Sequence, residues 1–302
     1  MKAVDPETPR GCGRFAPSPT GDLHLGSLFA AAGSYLDARH AGQRWLLRIE
    51  DLDTARIVPG AEARILATLD ACGFEWDAAP IRQSTRLDAY RDALAVLAAA
   101  GRLFECSCTR KALEDGAEVA RIGAYPGICR AGPKGPGPTA TRFRVDDGDY
   151  VFDDRVQGIV RGQWSARGDV VVRRRDGLFA YQLAVVVDDA WQGVTDIVRG
   201  ADLLDSTPWQ LALAGTLGLV SPRHAHLPVL VEPDGRKLAK SRRAVGIEPG
   251  RAGHALETVL ALLGIPPPPE LSGAHPHELW AWAVPRWSAD RLRGVRTLPA
   301  PE

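Results

Sequence analysis

His24, Lys237, Lys240 and a group of three cysteines are the side chains of this 302-residue chain whose types and spacing could do chemistry. The stretch from Pro17 to Gly26, PSPTGDLHLG, is shaped by proline and glycine and delivers His24 to the expected first turn of a helix beginning near Gly26. Free backbone N–H groups and the dipole of such a terminus attract phosphate, and small residues let a nucleotide approach closely. A histidine there can donate a hydrogen bond as negative charge grows on a phosphate. On its own, an HLG triplet is more often a surface or capping element. The segment KLAKS, residues 237 to 241, follows a Pro-Asp-Gly turn and precedes two arginines, so several cations share one short piece of chain. A lysine carried on a loop can neutralise a pyrophosphate leaving group as the transition state forms, and Lys240 is the candidate. Taken alone, such a loop is usually a solvated surface. Together the two segments weigh far more, because about 210 residues with a parallel-sheet pattern lie between them.

Cysteines supply the third chemistry. Cys106-Ser107-Cys108 and Cys129, within YPGICR, offer thiolates suited to a tetrahedral zinc site that could staple an irregular insertion. Three cysteines leave one coordination position for a water or another side chain. Cys12 and Cys72 fall outside this pattern.

Elements that must position these groups are legible in outline. GRFAPSPTG followed by LGSLFAAAGSYLDARHAG reads as strand, loop and Ala-rich helix, closed by Gly42; RWLLRIEDLD reads as a strand with an acidic tip. Helices expected near 60 to 73 and 86 to 101 continue a βαβα alternation, which favours a parallel sheet with helices outside it and an α/β fold class. From Cys106 to about Gly168 the pattern breaks, and AGPKGPGP is too rich in proline and glycine for regular structure. Valines 170 to 172, LFAYQLAVVVDDA and VTDIVRGADLL are read as a return of buried-strand character before a helix near 207 to 218. The expected domains are 10–225, interrupted by an insertion at 102–170, and a small helical C-terminal subdomain at 226–302.

Lysine plus arginine (37) equals aspartate plus glutamate (37), so any nucleic-acid contact must use a local patch rather than a global field. The start MKAVDPETPR lacks a signal-peptide core, no run is long enough for a membrane helix, and five cysteines suit a reduced compartment; a cytoplasmic protein is expected. There is no GxxxxGK[ST] loop, which argues against a P-loop nucleotidase. His40, His254, His275 and His277 lack metalloprotease spacing, and Trp280, Trp282 and Trp287 are expected to be packing residues.

RFAPSPTGDLHLG and KLAKS resemble the paired nucleotide signatures of class I aminoacyl-tRNA synthetases, in particular the glutamyl branch. Ser27 replaces the final histidine of the first signature, and Leu238 and Ala239 replace the methionine and serine of the second. The similarity extends through RIEDLDTAR, FAYQLAVVVDDAWQGVTDIVRGADLL and the region near 226 to 241. It implies a Rossmann-type catalytic domain, ATP bound with Mg²⁺, and Pro17, His24, Gly26, Lys237, Lys240 and Ser241 at the nucleotide, with His24 and Lys240 catalytic. It also implies an amino-acid pocket formed by Arg14, Ser18, Glu50, Tyr181 and Arg199. Residue chemistry agrees, because a substrate with two carboxylates and one ammonium calls for guanidinium forks and a counter-carboxylate.

The shortened form, with Cys-x-Cys and YPGxCR, resembles the glutamyl-queuosine tRNA(Asp) synthetases, a truncated branch paralogous to the catalytic half of glutamyl-tRNA synthetases. That resemblance implies Tyr125 as the fourth zinc ligand, no anticodon-binding domain, glutamate activation without tRNA, queuosine-bearing tRNA(Asp) as acceptor, and a monomer. Competing expectations are a minimal glutamyl-tRNA synthetase charging a tRNA 3′ end, a small-molecule adenylating enzyme and a silent tRNA-binding paralogue.

Overall fold

The computed structural model describes residues 11–109, 113, 124–236, 246–247 and 249–301. Lys237, Lys240 and Ser241 lie outside the described residues. The chain opens with β1 (Cys12–Phe15), buried along its length, then α1 (Leu25–His40) and β2 (Arg44–Ile49) parallel to β1. Helix α2 (Ala61–Ala71) and the short strand β3 (Ile81–Arg82) continue this winding, and α3 (Leu87–Ala99) follows.

Next come β4 (Leu103–Cys106), β5 (Ala140–Phe143), β6 (Asp149–Asp154), β7 (Gly158–Gln163) and β8 (Val170–Arg173). The chain then forms α4 (Tyr181–Trp191), β9 (Asp196–Gly200), α5 (Thr207–Thr216), β10 (Arg223–Leu227) and β11 (Val229–Val231). Helices α6 (Ala252–Leu262) and α7 (Pro276–Ala283) and strand β12 (Thr297–Pro299) complete it. Among the described residues, no helix is long and apolar enough to cross a membrane.

The main sheet has the order β3-β2-β1-β9-β10-β6-β7, parallel except for the β6–β7 hairpin. From β1 the chain winds outward through β2 and β3 on one side, while β9 and β10 fill the other. The boundary between β1 and β9 is therefore a switch point, where the loops at the two carboxyl ends diverge and open a crevice. Helix α1 lies against this boundary and is enclosed on several sides: it contacts β1 and β9 on one face and α6 on another. Its small residues permit that closeness. A Cβ at Gly33 would sit 2.4 Å from Leu227 Cδ1, so even alanine would force the buried Leu227 side chain or the helix to shift.

Three expectations need correction. The segment from Tyr181 to Trp191, read as buried strand, is helix α4; a short apolar run such as LAVVV fits either period, and its burial on a wide face decides for helix. Valines 170 to 172 do not return to the main sheet but close a separate antiparallel sheet ordered β4-β5-β8. Within the 102–170 stretch, β6 and β7 extend the main sheet, anchored where Asp154 pairs with His224. At the other end, α6 and α7 share one apolar core with α1, through Leu256, Val259, Leu263 and Trp280. The helical tail thus backs α1 directly. Trp280 and Trp287 are buried there, and each indole N–H finds an acceptor, the Cys72 carbonyl and Asp37 respectively.

Candidate active site

The crevice at the switch point is a cavity of about 670 Å³. Arg14, Pro17, Ser18, His24, Gly26, Glu50, Tyr181 and Arg199 all line it. Residues far apart in the sequence meet here because each follows or ends a strand, or starts a helix, at the same edge of the sheet.

His24 is the N-cap of α1. Its Nδ1 accepts a hydrogen bond from the Ser27 backbone N–H at 3.2 Å, and its Nε2 lies 3.2 Å from the Ser27 hydroxyl. An accepting Nδ1 leaves the ring proton of the neutral imidazole on Nε2, where the Ser27 hydroxyl can accept it. Gly26 makes this packing possible, since a Cβ there would be 3.1 Å from His24 Cε1.

Charge in the depth of the crevice is arranged in two groups. In the first, Asp189 of α4 accepts from Arg14 Nε at 3.1 Å and from Arg48 Nη1 at 2.7 Å, while Arg48 Nη2 reaches Glu50 Oε1 at 3.3 Å. All four side chains are buried or nearly so. Burial pushes the Glu50 carboxyl up, against the pull of Arg48 and Arg14. The neighbouring Asp188 points about 100° away around α4. It binds Arg86, Tyr90 and Gln83 instead, tying α3 to the same helix. Adjacent carboxylates thus serve two different faces.

The second group centres on Arg199 of β9, which is 5% exposed. Its Nε donates to His226 Nε2 at 2.9 Å, Nη1 to the Tyr181 hydroxyl at 3.2 Å, and Nη2 to the Leu203 carbonyl, Thr207 Oγ1 and Gln210 Oε1. Every one of these acceptors is neutral. Burial accordingly pulls the Arg199 guanidinium down from its ordinary value, Arg14 adds to the effect, and Tyr181, Asp189 and Glu50 offset only part of it. Across the two groups, the ion-paired carboxylates of Asp189 and Glu50 are shared among the guanidinium groups of Arg14 and Arg48, while Arg199 is hydrogen-bonded to neutral acceptors, an arrangement that suits an anionic ligand. Tyr181 already accepts from Arg199, so its own O–H remains to donate.

Sequence reasoning does not single out Arg48, Asp189, Thr207, Gln210 or His226. The one available signal is ionic residues inside otherwise apolar runs, as in RWLLRI and LAVVVDDAW, where a buried charge demands a partner.

In the 102–170 stretch, the Cys106, Cys108 and Cys129 sulfurs lie within 4.8 Å of one another, with Cys108 and Cys129 3.6 Å apart. Zinc–sulfur distances of about 2.3 Å give a tetrahedron with sulfur–sulfur edges of about 3.8 Å, so the three thiols fit such an ion. Tyr125 Oη is 3.5 Å from Cys106 Sγ and accepts from the Cys129 N–H at 2.7 Å, beside the three thiols. Burial and its thiol neighbours push Cys108 up to about 11, whereas Cys129, despite burial, is drawn down to about 6 by hydrogen bonds led by Tyr125. All five cysteines are free thiols.

A parallel sheet with a histidine-capped helix at its switch point and an arginine-rich crevice defines the catalytic domain of a class I aminoacyl-tRNA synthetase. The family described as "tRNA synthetases class I (E and Q), catalytic domain" matches residues 12–265. The fold is similar to that of a glutamate-tRNA synthetase from Elizabethkingia anophelis, with a TM-score of 0.78 at 25% identity over 96% of this chain and 68% of that one. A glutamate tRNA ligase from Elizabethkingia meningosepticum, solved in complex with its amino acid, superposes with a TM-score of 0.75 at 26% identity, covering 95% of this chain and 66% of that one. A glutamyl-Q tRNA(Asp) synthetase of Ectopseudomonas mendocina is 54% identical over 287 residues, 95% of this chain and 96% of that protein. Its counterpart in Pseudomonas aeruginosa is 53% identical over 288 residues, 95% and 97% of the two chains. The chain belongs to the glutamyl-Q tRNA(Asp) synthetase family.

Proposed function

We propose that this protein is a ligase that activates L-glutamate with ATP to glutamyl-adenylate, without tRNA, and transfers the glutamyl group to the queuosine base in the anticodon loop of tRNA(Asp). The observation that carries this reading is the meeting of the His24-capped helix with the cationic Arg14, Glu50, Arg199 crevice in one cavity. The relatives' names supply the acceptor.

In the first step a glutamate α-carboxylate oxygen attacks the α-phosphorus of ATP in line. A carboxyl–phosphate bond forms, the bond to the β-phosphate oxygen breaks, and pyrophosphate leaves. His24 and the α1 terminus hold phosphate, with Pro17 and Gly26 shaping the approach. Lys240 neutralises the leaving group, and Lys237 and Ser241 of the same KLAKS segment serve the nucleotide. Magnesium travels with the nucleotide, since a hard cation prefers phosphate oxygens and water. Arg14, Arg199 and the Tyr181 hydroxyl take the carboxylate side of glutamate; Glu50 faces the ammonium, with Ser18 at the rim. In the second step an acceptor hydroxyl attacks the mixed anhydride, loses its proton and expels AMP. No covalent enzyme intermediate is involved.

The test is ATP–pyrophosphate exchange with each of the twenty amino acids, with and without tRNA. Exchange is expected with glutamate alone and without tRNA, and Lys240→Ala should lower it about a hundredfold, the size expected for one transition-state charge. Exchange with another amino acid, or a strict need for tRNA, would overturn the reading. Mapping labelled glutamate that survives base treatment of ordinary aminoacyl esters locates the acceptor.

Cys106, Cys108, Cys129 and Tyr125 would hold one structural zinc ion. The ion would supply folding energy to the 102–170 stretch and no chemistry at the crevice. Metal analysis of purified protein should give about one zinc per chain, and a strong chelator should lower the melting temperature and speed proteolysis within 102–170. Zinc-free protein with an unchanged melting curve would remove the ion from this account. The reading places the protein in the cytoplasm, acting as a monomer.

A further inference from the structure

We infer that Asp154 and His226 form a positioning pair that fixes the proton pattern around Arg199, and through it the affinity for glutamate. The inference rests on Arg199 being a substrate ligand, as proposed above. His226 is fully buried on β10 and Asp154 ends β6. His226 Nδ1 lies 2.5 Å from Asp154 Oδ2, and its Nε2 is 2.9 Å from Arg199 Nε.

The chemistry of these partners allows one arrangement. A guanidinium nitrogen can only donate, so His226 Nε2 must be the acceptor and carry no proton; the proton then sits on Nδ1, facing the carboxylate. Asp154 is itself held by its other oxygen, Oδ1, which accepts from the backbone N–H groups of Val156 (3.0 Å), Gln157 (2.8 Å) and His226 (3.0 Å). The Gln157 side chain adds bonds to the carbonyls of His226 and Val295. A tight turn in the β6–β7 hairpin, remote in sequence from every motif of the crevice, thereby sets which face of the imidazole meets the arginine. Thr207 Oγ1 lies 3.2 Å from the same imidazole nitrogen and accepts from Arg199 Nη2 at 2.8 Å. With Nε and Nη2 both engaged, the guanidinium plane cannot rotate, and its Nη1 edge beside Tyr181 stays at the cavity wall.

Asp154→Asn tests this with little change of volume. The three backbone N–H groups require an oxygen, so the variant's carboxamide must keep its oxygen toward them and turn its NH₂ group to His226 Nδ1. That forces the His226 proton onto Nε2, where it confronts the Arg199 Nε–H, donor against donor. The expected result in glutamate-dependent exchange is a rise of about tenfold or more in the KM for glutamate, with kcat and the KM for ATP changed by less than about twofold. Imidazole ¹⁵N NMR should show the proton moved to Nε2.

His226→Gln, whose amide oxygen can still accept from Arg199, should make the Asp154→Asn change silent. His226→Phe, which offers no acceptor, should raise the glutamate KM without any change at Asp154. Equal rises in both KM values, an unchanged glutamate KM, or equal behaviour of His226→Gln and His226→Phe would overturn the proposal. If Arg199→Ala itself leaves the glutamate KM unchanged, the reading of the pocket has failed; if Arg199→Ala acts and Asp154→Asn does not, only the positioning pair has.

Discussion

Arg199→Ala is expected to lower glutamate-dependent exchange about tenfold to a hundredfold, since the one N–H left to it, on Nη1, can make a single charge-assisted hydrogen bond to a carboxylate, worth about 1.5–3 kcal/mol. Its effect on the ligand-free protein should be small by comparison. Arg199 is a buried cation with neutral acceptors around it, so removing it loses five hydrogen bonds but also relieves a charge that burial disfavours. Kinetics of exchange and a melting curve on the same preparation check both halves. An arginine that mattered only for folding would show the reverse, a large loss of stability with the remaining folded enzyme fully active. Arg199→Lys should recover little, because a single ammonium cannot span Tyr181, His226, Thr207 and Gln210 at once.

Asp189→Ala is expected to act in the opposite sense, chiefly on stability. Its carboxylate is the shared partner of Arg14 and Arg48, whose side chains are 4% and 0% exposed. Removing one partner of a buried ion pair typically costs about 3–5 kcal/mol, because the remaining charge is left uncompensated. Glu50 alone would then face two guanidinium groups. A fall in melting temperature on the order of 10 °C follows for a chain of this size. The same pairing sets a pH dependence. Burial opposes ionisation of Asp189, but Arg14 and Arg48 outweigh it and hold the carboxyl below its ordinary value. A depressed folded-state value means the stabilisation is fully present above about pH 4, near the unfolded-state value, and is lost as pH falls through the folded one. The Asp189→Ala variant should therefore lose the part of the acid transition that this carboxylate contributes. Equal melting temperatures for the two proteins at neutral pH would show that the cluster is not under charge balance.

These two buried charges differ in how legible they are in the sequence. Arg199 lies inside VRGAD, a segment whose resemblance to the class I synthetases implies a place in the substrate pocket, and its guanidinium agrees with an anionic substrate. Asp189 also lies in a recognisable segment, but nothing local shows that its partners are Arg14 and Arg48, 175 and 141 residues away. That LAVVV is helix rather than strand escapes the sequence for the same reason. Local apolar pattern reports that a segment is buried, while the neighbours that bury it decide helix or strand. Hairpin β6–β7 is a further case: its alternating, half-exposed residues give no sign that the hairpin joins the main sheet.

The family resemblance pointed to the arginines and glutamate of the crevice; what the residues determined by themselves was the local pattern: a histidine at a helix start, cysteines at metal-ligand spacing, and the alternation that makes an α/β sheet. Spacing and side-chain type suffice for these because each depends on a few neighbouring positions. Tertiary structure alone decided the charge balance of the crevice, the pairing of β6 with β10 and the contact of Asp154 with His226. Those depend on which strands lie side by side, and a carboxylate 72 residues from its imidazole acquires a role only when the sheet closes the distance to 2.5 Å.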